Sequence, residues 1–287
     1  MGEREDPGPP RVVPPRPTPP CRWEFDPDRA DPDGVVGVGA DLEAGTLVTA
    51  YSRGVFPWPH LGMPLLWFSP DPRAVLPPDR FHVSRSLRRT LHRCGWTATV
   101  DRDPAAVIEG CADRSEGTWI TPEMRDAYLE LAELGWMRSV EVWQGGVLVG
   151  GIYGVQIGGV FTGESMFSRR ADASKVALLE LCHRYATAGG VLVDVQLPTD
   201  HLRTLGAVTI ARSDFLRLLE RESGRDVRMR ADELPVSRLA SRLAASSAPV
   251  GHTVASREGR VRPEHHRGPA GSDPAHHPAD PRSDHVR

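Results

Sequence analysis

The chain has 287 residues, 39% of them hydrophobic and 25% charged, enough for one ordinary folded domain or two small ones. A formal net charge of −3 excludes bulk attraction to nucleic acid and leaves any polyanion to a local basic patch. Cys21, Cys94, Cys111 and Cys182 stand at no C-x-x-C spacing, which argues against a zinc site or a disulfide framework and for reduced thiols in the cytoplasm.

Residues 1–20 are rich in proline, which lacks a donor and fixes φ, so they read as a polyproline or disordered tail. They hold no signal-peptide core, and no run in the chain reaches the roughly 18 apolar residues of a membrane span. Residues 21–72 read as a small N-terminal domain and 73–230 as the main domain. Residues 41–54 form a helix capped by Asp41, with Leu42, Leu47, Val48 and Tyr51 as its apolar stripe and Gly54 as its stop. Phe56-Pro57-Trp58-Pro59 and Leu66-Trp67-Phe68 fall in proline-rich ordered loops. Residues 71–76 begin an extended segment. Residues 84–94 form a helix with Leu87 and Leu91 at i, i+4, residues 96–100 a strand, and residues 104–113 a helix. Thr121 caps a helix over 121–134 with Pro122 at its first position and Gly135 beyond its end.

Three strands follow, over 138–143, 147–155 and 159–163, with Gly145-Gly146 as the hairpin turn between the first two. A helix over 174–188, a buried strand over 191–197 and short helices over 201–205 and 213–219 complete an α+β order. Residues 231–287 read as a second disordered tail; His265-His266 and His276-His277 lack a regular partner for metal binding.

Four places could carry chemistry. The apolar strand over 191–197 is interrupted by Asp194 and Gln196, which period-two alternation puts on one face. They are either a structural hydrogen-bonded pair or the lining of a wet cleft, since an unpaired buried carboxylate is costly. Glu164 stands at a strand end between Phe161 and Phe167, in a pocket or in a solvated turn. The loop tryptophans Trp58, Trp67 and Trp119 are platforms for a ring or base, or simple core. Arg85, Arg89, His92 and Arg93 share one helical stripe, which a polyanion would relieve or water would solvate. Lys175 is the one lysine in the chain. No P-loop, H-E-x-x-H or G-x-S-x-G motif occurs, and Gly37-Val38-Gly39-Ala40-Asp41-Leu42 lacks the third glycine of a dinucleotide fingerprint.

Seven runs together resemble the bacterial leucyl/phenylalanyl-tRNA–protein transferases. They are Ala50-Tyr51-Ser52-Arg53-Gly54-Val55-Phe56-Pro57-Trp58, Trp67-Phe68-Ser69-Pro70-Asp71-Pro72-Arg73, Val107-Ile108-Glu109-Gly110-Cys111, Glu116-Gly117-Thr118-Trp119-Ile120, Gly163-Glu164-Ser165-Met166-Phe167-Ser168, Ala173-Ser174-Lys175 and Asp194-Val195-Gln196. They keep the family's order over about residues 25–220, and the tails lie outside the match. The resemblance implies a small N-terminal α/β domain and a GNAT-like (acyl-CoA N-acyltransferase-like) C-terminal domain. It implies transfer of Leu or Phe, less often Met, from Leu-tRNA or Phe-tRNA to acceptor proteins with N-terminal Lys or Arg, marking them for degradation. No metal, coenzyme or membrane is expected, and a monomer is. By resemblance Trp58, Trp119, Phe161, Glu164, Met166, Asp194 and Gln196 line the site for the aminoacyl-adenosine end, and Ile152, Phe161, Leu181, Tyr185 and Val193 form the amino-acid pocket. Where the family often carries phenylalanine this chain has Leu181 and Tyr185.

The chemistry expected is attack of an α-amine on an activated ester, with Gln196 accepting from the amine, Asp194 polarising or orienting the Gln196 amide, and Glu164 holding the incoming ammonium or the donor's amine. Arg85, Arg89 and Arg93 would meet tRNA phosphates. An acyl-CoA N-acyltransferase would need a glycine-rich pyrophosphate loop, where this chain reads Ser168-Arg169-Arg170-Ala171-Asp172-Ala173. A non-catalytic RNA-binding protein would carry a net basic domain.

Overall fold

The computed structural model describes residues 10–60, 62–114 and 117–246. The expectations for residues 1–9, Glu116 and the chain from 247 on, with both histidine pairs, lie outside these.

The elements in chain order are β1 (Val35–Val38), α1 (Ala44–Ser52), β2 (Phe56–Trp58), β3 (Leu66–Phe68), β4 (Arg73–Leu76), α2 (Arg85–Arg93), β5 (Thr97–Val100), α3 (Pro104–Ala112) and α4 (Pro122–Glu133). Then come β6 (Met137–Gln144), β7 (Val147–Ile157), β8 (Val160–Ser168), α5 (Ala173–Thr187), β9 (Leu192–Gln196), α6 (Asp200–Thr204), β10 (Val208–Ile210), α7 (Arg212–Glu222), β11 (Leu234–Pro235) and α8 (Ser237–Ser246). The α+β class stands. Capping explains several starts: Ser84 accepts from Leu87 N, Asp103 from Ala106 N and Thr121 from Met124 N. Asp41 does not cap α1. It accepts from Arg22, from the Trp23 indole and from Glu43 N, and Glu43 takes the cap position.

Eight strands form one sheet in the order β10-β4-β9-β8-β7-β6-β5-β11. All its pairings are antiparallel except β8 with β9. A parallel pair needs a crossover, and α5 supplies it. Neighbouring residues of β8 and β9 feed different cores: Val160 and Leu192 join one, Phe161 and Val193 the other. A strand buried on both faces reads as continuously apolar, which explains the 191–197 run.

Residues 56–58 and 66–68, expected as loops, are strands of a second sheet ordered β1-β3-β2. Pro57 is tolerated because β2 lies at that sheet's edge. Trp67 is core, 1% exposed, with its indole donating to Gly39 O at 2.7 Å. This second sheet lies wholly within residues 21–72.

Both expected tails need correction within the described residues. Residues 10–20 form a strap: Val12 is buried and donates to Met229 O, Arg16 N donates to Leu134 O, and the Trp136 indole donates to Arg16 O. A polyproline segment loses little entropy on docking, so a few bonds suffice. At the other end β11 pairs with β5, and α8 buries Leu239 and Ala240.

Candidate active site

Asp194 is fully buried on β9, between β4 and β8. Arg73, at the start of β4, grips it with two bonds: Nε to Oδ1 at 2.8 Å and Nη2 to Oδ2 at 2.6 Å. Oδ2 also accepts from Thr162 Oγ1 at 3.1 Å, and Oδ1 from the backbone N of Gln196 at 2.9 Å. A carboxylate offers about four acceptor sites, and all four are taken. None of the four bonds comes from the Gln196 side chain, so of the two roles expected, polarising or orienting that amide, the geometry favours the orienting role for Asp194. It holds the main chain of Gln196, whose φ of 63° lies in the left-handed region.

Glu164 is not at a strand end. β8 runs on to Ser168, and Gly154 pairs with Gly163 while Tyr153 pairs with Ser165, so Glu164 is the extra residue of a β-bulge. Gly154 makes room. A Cβ on Gly154 would lie 2.1 Å from Thr162 O. The bulge re-aims the strand: Phe161 and Met166 pack on one core, Val160 and Phe167 on the other, which strict alternation would not allow.

The re-aimed carboxylate is held by neutral donors. Tyr128 OH donates to Oε2 at 2.9 Å, and the Tyr51 and Tyr128 hydroxyls lie 2.5 Å apart. Gln196 Nε2 donates to Oε1 at 2.8 Å. Burial pushes the Glu164 carboxyl up to about 7; the tyrosine hydroxyls oppose this, and the Asp194 charge adds to it. Burial also raises Tyr51 and Tyr128 well above the usual phenol range, so both remain donors. The Cys111 thiol is pushed up to about 12, which makes it inert as a nucleophile at neutral pH.

Phe56, Pro57, Trp58, Trp119, Glu164, Gln196 and Leu197 line a cleft of about 90 Å³. Trp58 packs edge-on to Phe68 with ring centroids 5.4 Å apart. Its floor is the fork where β8 and β9 part, since their pairing stops at Thr162↔Asp194. Of the expected site residues, Trp58, Trp119, Glu164 and Gln196 meet here, with Asp194 one layer below. Met166 is half-buried farther along β8.

The expected amino-acid pocket is closed. Ile152, Phe161, Leu181, Tyr185 and Val193 are all buried in one hydrophobic cluster, Phe161 and Tyr185 in edge contact at 6.0 Å, and Tyr185 OH donates to Gly158 O. They approach the fork at Gly163, where a Cβ would lie 3.9 Å from Ile152 Cδ1 and Phe161 Cε1.

Arg85, Arg89 and Arg93 are exposed on α2. Among the described residues none of them has a carboxylate within ion-pair distance, whereas Lys175 pairs with Asp172 at 2.8 Å. Arg85 and Arg89 lie near the helix N-terminus, where the dipole disfavours cations.

Sequence reasoning missed Arg73, Thr162, Tyr51 and Tyr128 as site residues. One signal existed for Arg73. An arginine opening an otherwise apolar strand needs a buried acid, and the one acid in the 191–197 strand is Asp194.

A carboxylate near neutrality and an oriented amide, on an aromatic-walled floor, can receive a proton and seat a nucleophile; this is the equipment of a group-transfer enzyme. Residues 75–220 match the family described as leucyl/phenylalanyl-tRNA protein transferase, and residues 40–71 match its N-terminal domain. A leucyl/phenylalanyl-tRNA–protein transferase of Azotobacter vinelandii is 54% identical over 64% of this chain and 83% of its own length. One from Klebsiella pneumoniae subsp. pneumoniae is 52% identical over 66% of this chain and 82% of its own. Among solved structures, a GCN5-related N-acetyltransferase from Kribbella flavida superposes with a TM-score of 0.33 at 17% identity, covering 58% of this chain and 61% of its own. That likeness is too loose to carry weight. The chain belongs to the leucyl/phenylalanyl-tRNA–protein transferase family.

Proposed function

We propose that this chain moves leucine or phenylalanine from aminoacyl-tRNA to the N-terminus of acceptor proteins beginning with Lys or Arg, which marks them for degradation. The family supports the transfer itself. The roles below rest on one observation: Glu164 and Gln196 are hydrogen-bonded to each other on the floor of the same aromatic cleft.

The acceptor's α-amine attacks the ester carbonyl of the charged tRNA, and the 3′-terminal ribose oxygen leaves. The ester is already activated, so no covalent enzyme intermediate is needed. Glu164 is the proton acceptor. Its carboxyl near 7 takes the amine's proton and passes it to the departing ribose oxygen, which leaves as a hydroxyl. Gln196 spends its N–H₂ on Glu164, and its Oε1 accepts from the attacking amine. Asp194 acts below the floor by fixing the Gln196 backbone. Trp58 and Trp119 stack on the terminal adenosine. The donor side chain enters through the fork at Gly163, displacing the closed cluster around Ile152 and Phe161. α2 binds the acceptor stem through Arg85, Arg89 and Arg93.

Purified protein, labelled Phe-tRNA or Leu-tRNA, and a peptide beginning with Arg, with no coenzyme added, test the reading. Label should appear on the peptide's N-terminus. Label remaining on tRNA defeats it.

A further inference from the structure

We infer that Arg73 is a positioning residue for transfer, locking the wall and the floor of the cleft at a fixed spacing. The inference rests on the roles proposed for Gln196 and Glu164.

Arg73 is 1% exposed, and its guanidinium makes three hydrogen bonds to two partners and packs on two aromatic rings. Nε and Nη2 grip Asp194, and Nη1 donates to Gly54 O at 3.1 Å. Its plane lies over the Phe56 ring at 4.9 Å and the Phe215 ring at 4.6 Å. These partners come from different elements. Phe56 is on β2 and lines the cleft wall. Gly54 closes the turn after α1. Phe215 is on α7, outside the cleft lining. Asp194 is on β9, two residues before the floor residue Gln196.

A planar fork with stacking faces can hold such an arrangement, whereas a lysine ammonium supplies charge without planarity. The chain of contact reaches the reacting end through main chain. Asp194 Oδ1, immobilised by Arg73, accepts from Gln196 N. That bond stabilises the left-handed φ of 63° at Gln196, a strained conformation for a non-glycine residue. The turned backbone aims the Gln196 amide at Glu164. With Arg73 gone, Asp194 loses two of its four hydrogen bonds, Gln196 relaxes, and Phe56 loses its seat.

Placement errors of about 1 Å at a reacting centre cost roughly 100-fold in rate. Arg73→Lys keeps the charge and tests the fork. Its single-turnover transfer rate should fall about 100-fold while its Kd for Phe-tRNA stays within about 3-fold of the parent. A second readout needs no activity. In the parent the Gln196 backbone amide, bonded to Asp194, should exchange slowly with deuterium; in Arg73→Lys that exchange should accelerate by about 100-fold or more. If Arg73→Lys fails to fold, Arg73→Met with Asp194→Asn removes both charges together and leaves no orphan ion in the core. That double variant should bind Phe-tRNA normally, transfer about 100-fold more slowly and show the same fast exchange at Gln196. Transfer within about 3-fold of the parent in either folded variant overturns the inference, as does unchanged amide exchange, or a loss carried wholly by Kd. A parent protein that transfers nothing defeats the functional reading instead, and the exchange arm still decides whether Arg73 holds Gln196.

Discussion

Glu164 sets the pH behaviour. Its carboxyl, raised from 4.5 to about 7, loses its proton as pH climbs through neutrality, and the ionised form is the base. Turnover at saturating donor should therefore rise across that range. The acceptor amine, with a pKa near 7.7–8.0, adds a second limb on the same side. Glu164→Gln should abolish the lower limb, leave the upper one, and lower turnover about 100-fold or more. A pH–rate profile for parent and variant checks this, and two unchanged limbs would remove Glu164 from the chemistry. Stability moves in the opposite direction. The folded chain keeps this proton while the unfolded chain sheds it from 4.5 upward, so stability falls as pH rises from 4.5 to about 7 and is flat in this respect above it. Denaturant midpoints at intervals across that range should show the fall in the parent and its absence in Glu164→Gln.

At the residue scale the sequence identified the chemistry better than its wiring. Asp194 and Gln196 interrupt an apolar strand and could be picked out for that reason. Period-two alternation put their side chains together, but Gln196 adopts a positive φ and turns to Glu164 instead. Glu164 was legible as an acid among aromatics, while its two tyrosine donors were not. Tyr51 and Tyr128 are 77 residues apart on two helices and read locally as ordinary apolar-stripe positions.

At the element scale, β8 carries the site because it is bulged. Nothing local in Gly163-Glu164-Ser165 distinguishes a bulge from a turn; the partner strand decides, through Gly154. Gly154→Ala would drive a methyl into Thr162 O and the Phe161 ring, with no flexible backbone to yield. It should destabilise the protein by about 2 kcal/mol or more, read from urea unfolding, and should depress transfer even where the fold survives. A neutral result would mean that the bulge is dispensable. α2 is a different kind of element, fully legible from Ser84, Leu87 and Leu91. Replacing Arg85, Arg89 and Arg93 by Ser should weaken tRNA binding and make its log–log salt slope shallower by roughly 2–3. An unchanged slope would move the tRNA contact elsewhere.

Over the whole molecule, the class and the order of the long elements followed from periodicity and capping, while the ends did not. A proline-rich segment carries no pattern that separates a free tail from a docked strap, because its few backbone donors find partners only in the folded structure. Val12 N and Arg16 N find them at Met229 O and Leu134 O, while the Trp136 indole donates to Arg16 O and Arg138 Nη2 to Val13 O. Removal of residues 1–20 should orphan the Arg138 and Trp136 donors and expose core around Val12. We expect a loss of about 2–5 kcal/mol of stability by denaturant titration. A truncated chain as stable as the parent would show the strap to be ornamental.

The central claim is that the hydrogen-bonded pair on the cleft floor drives transfer and contributes little to holding the donor. Gln196→Ala tests it most directly, because it removes the amide while Glu164 keeps its Tyr128 donor. With enzyme in excess over labelled Phe-tRNA, the single-turnover rate to an Arg-peptide should fall about 100-fold or more while the Kd for Phe-tRNA moves less than about 3-fold. A rate near that of the parent, or a fall matched by lost binding, would contradict the account.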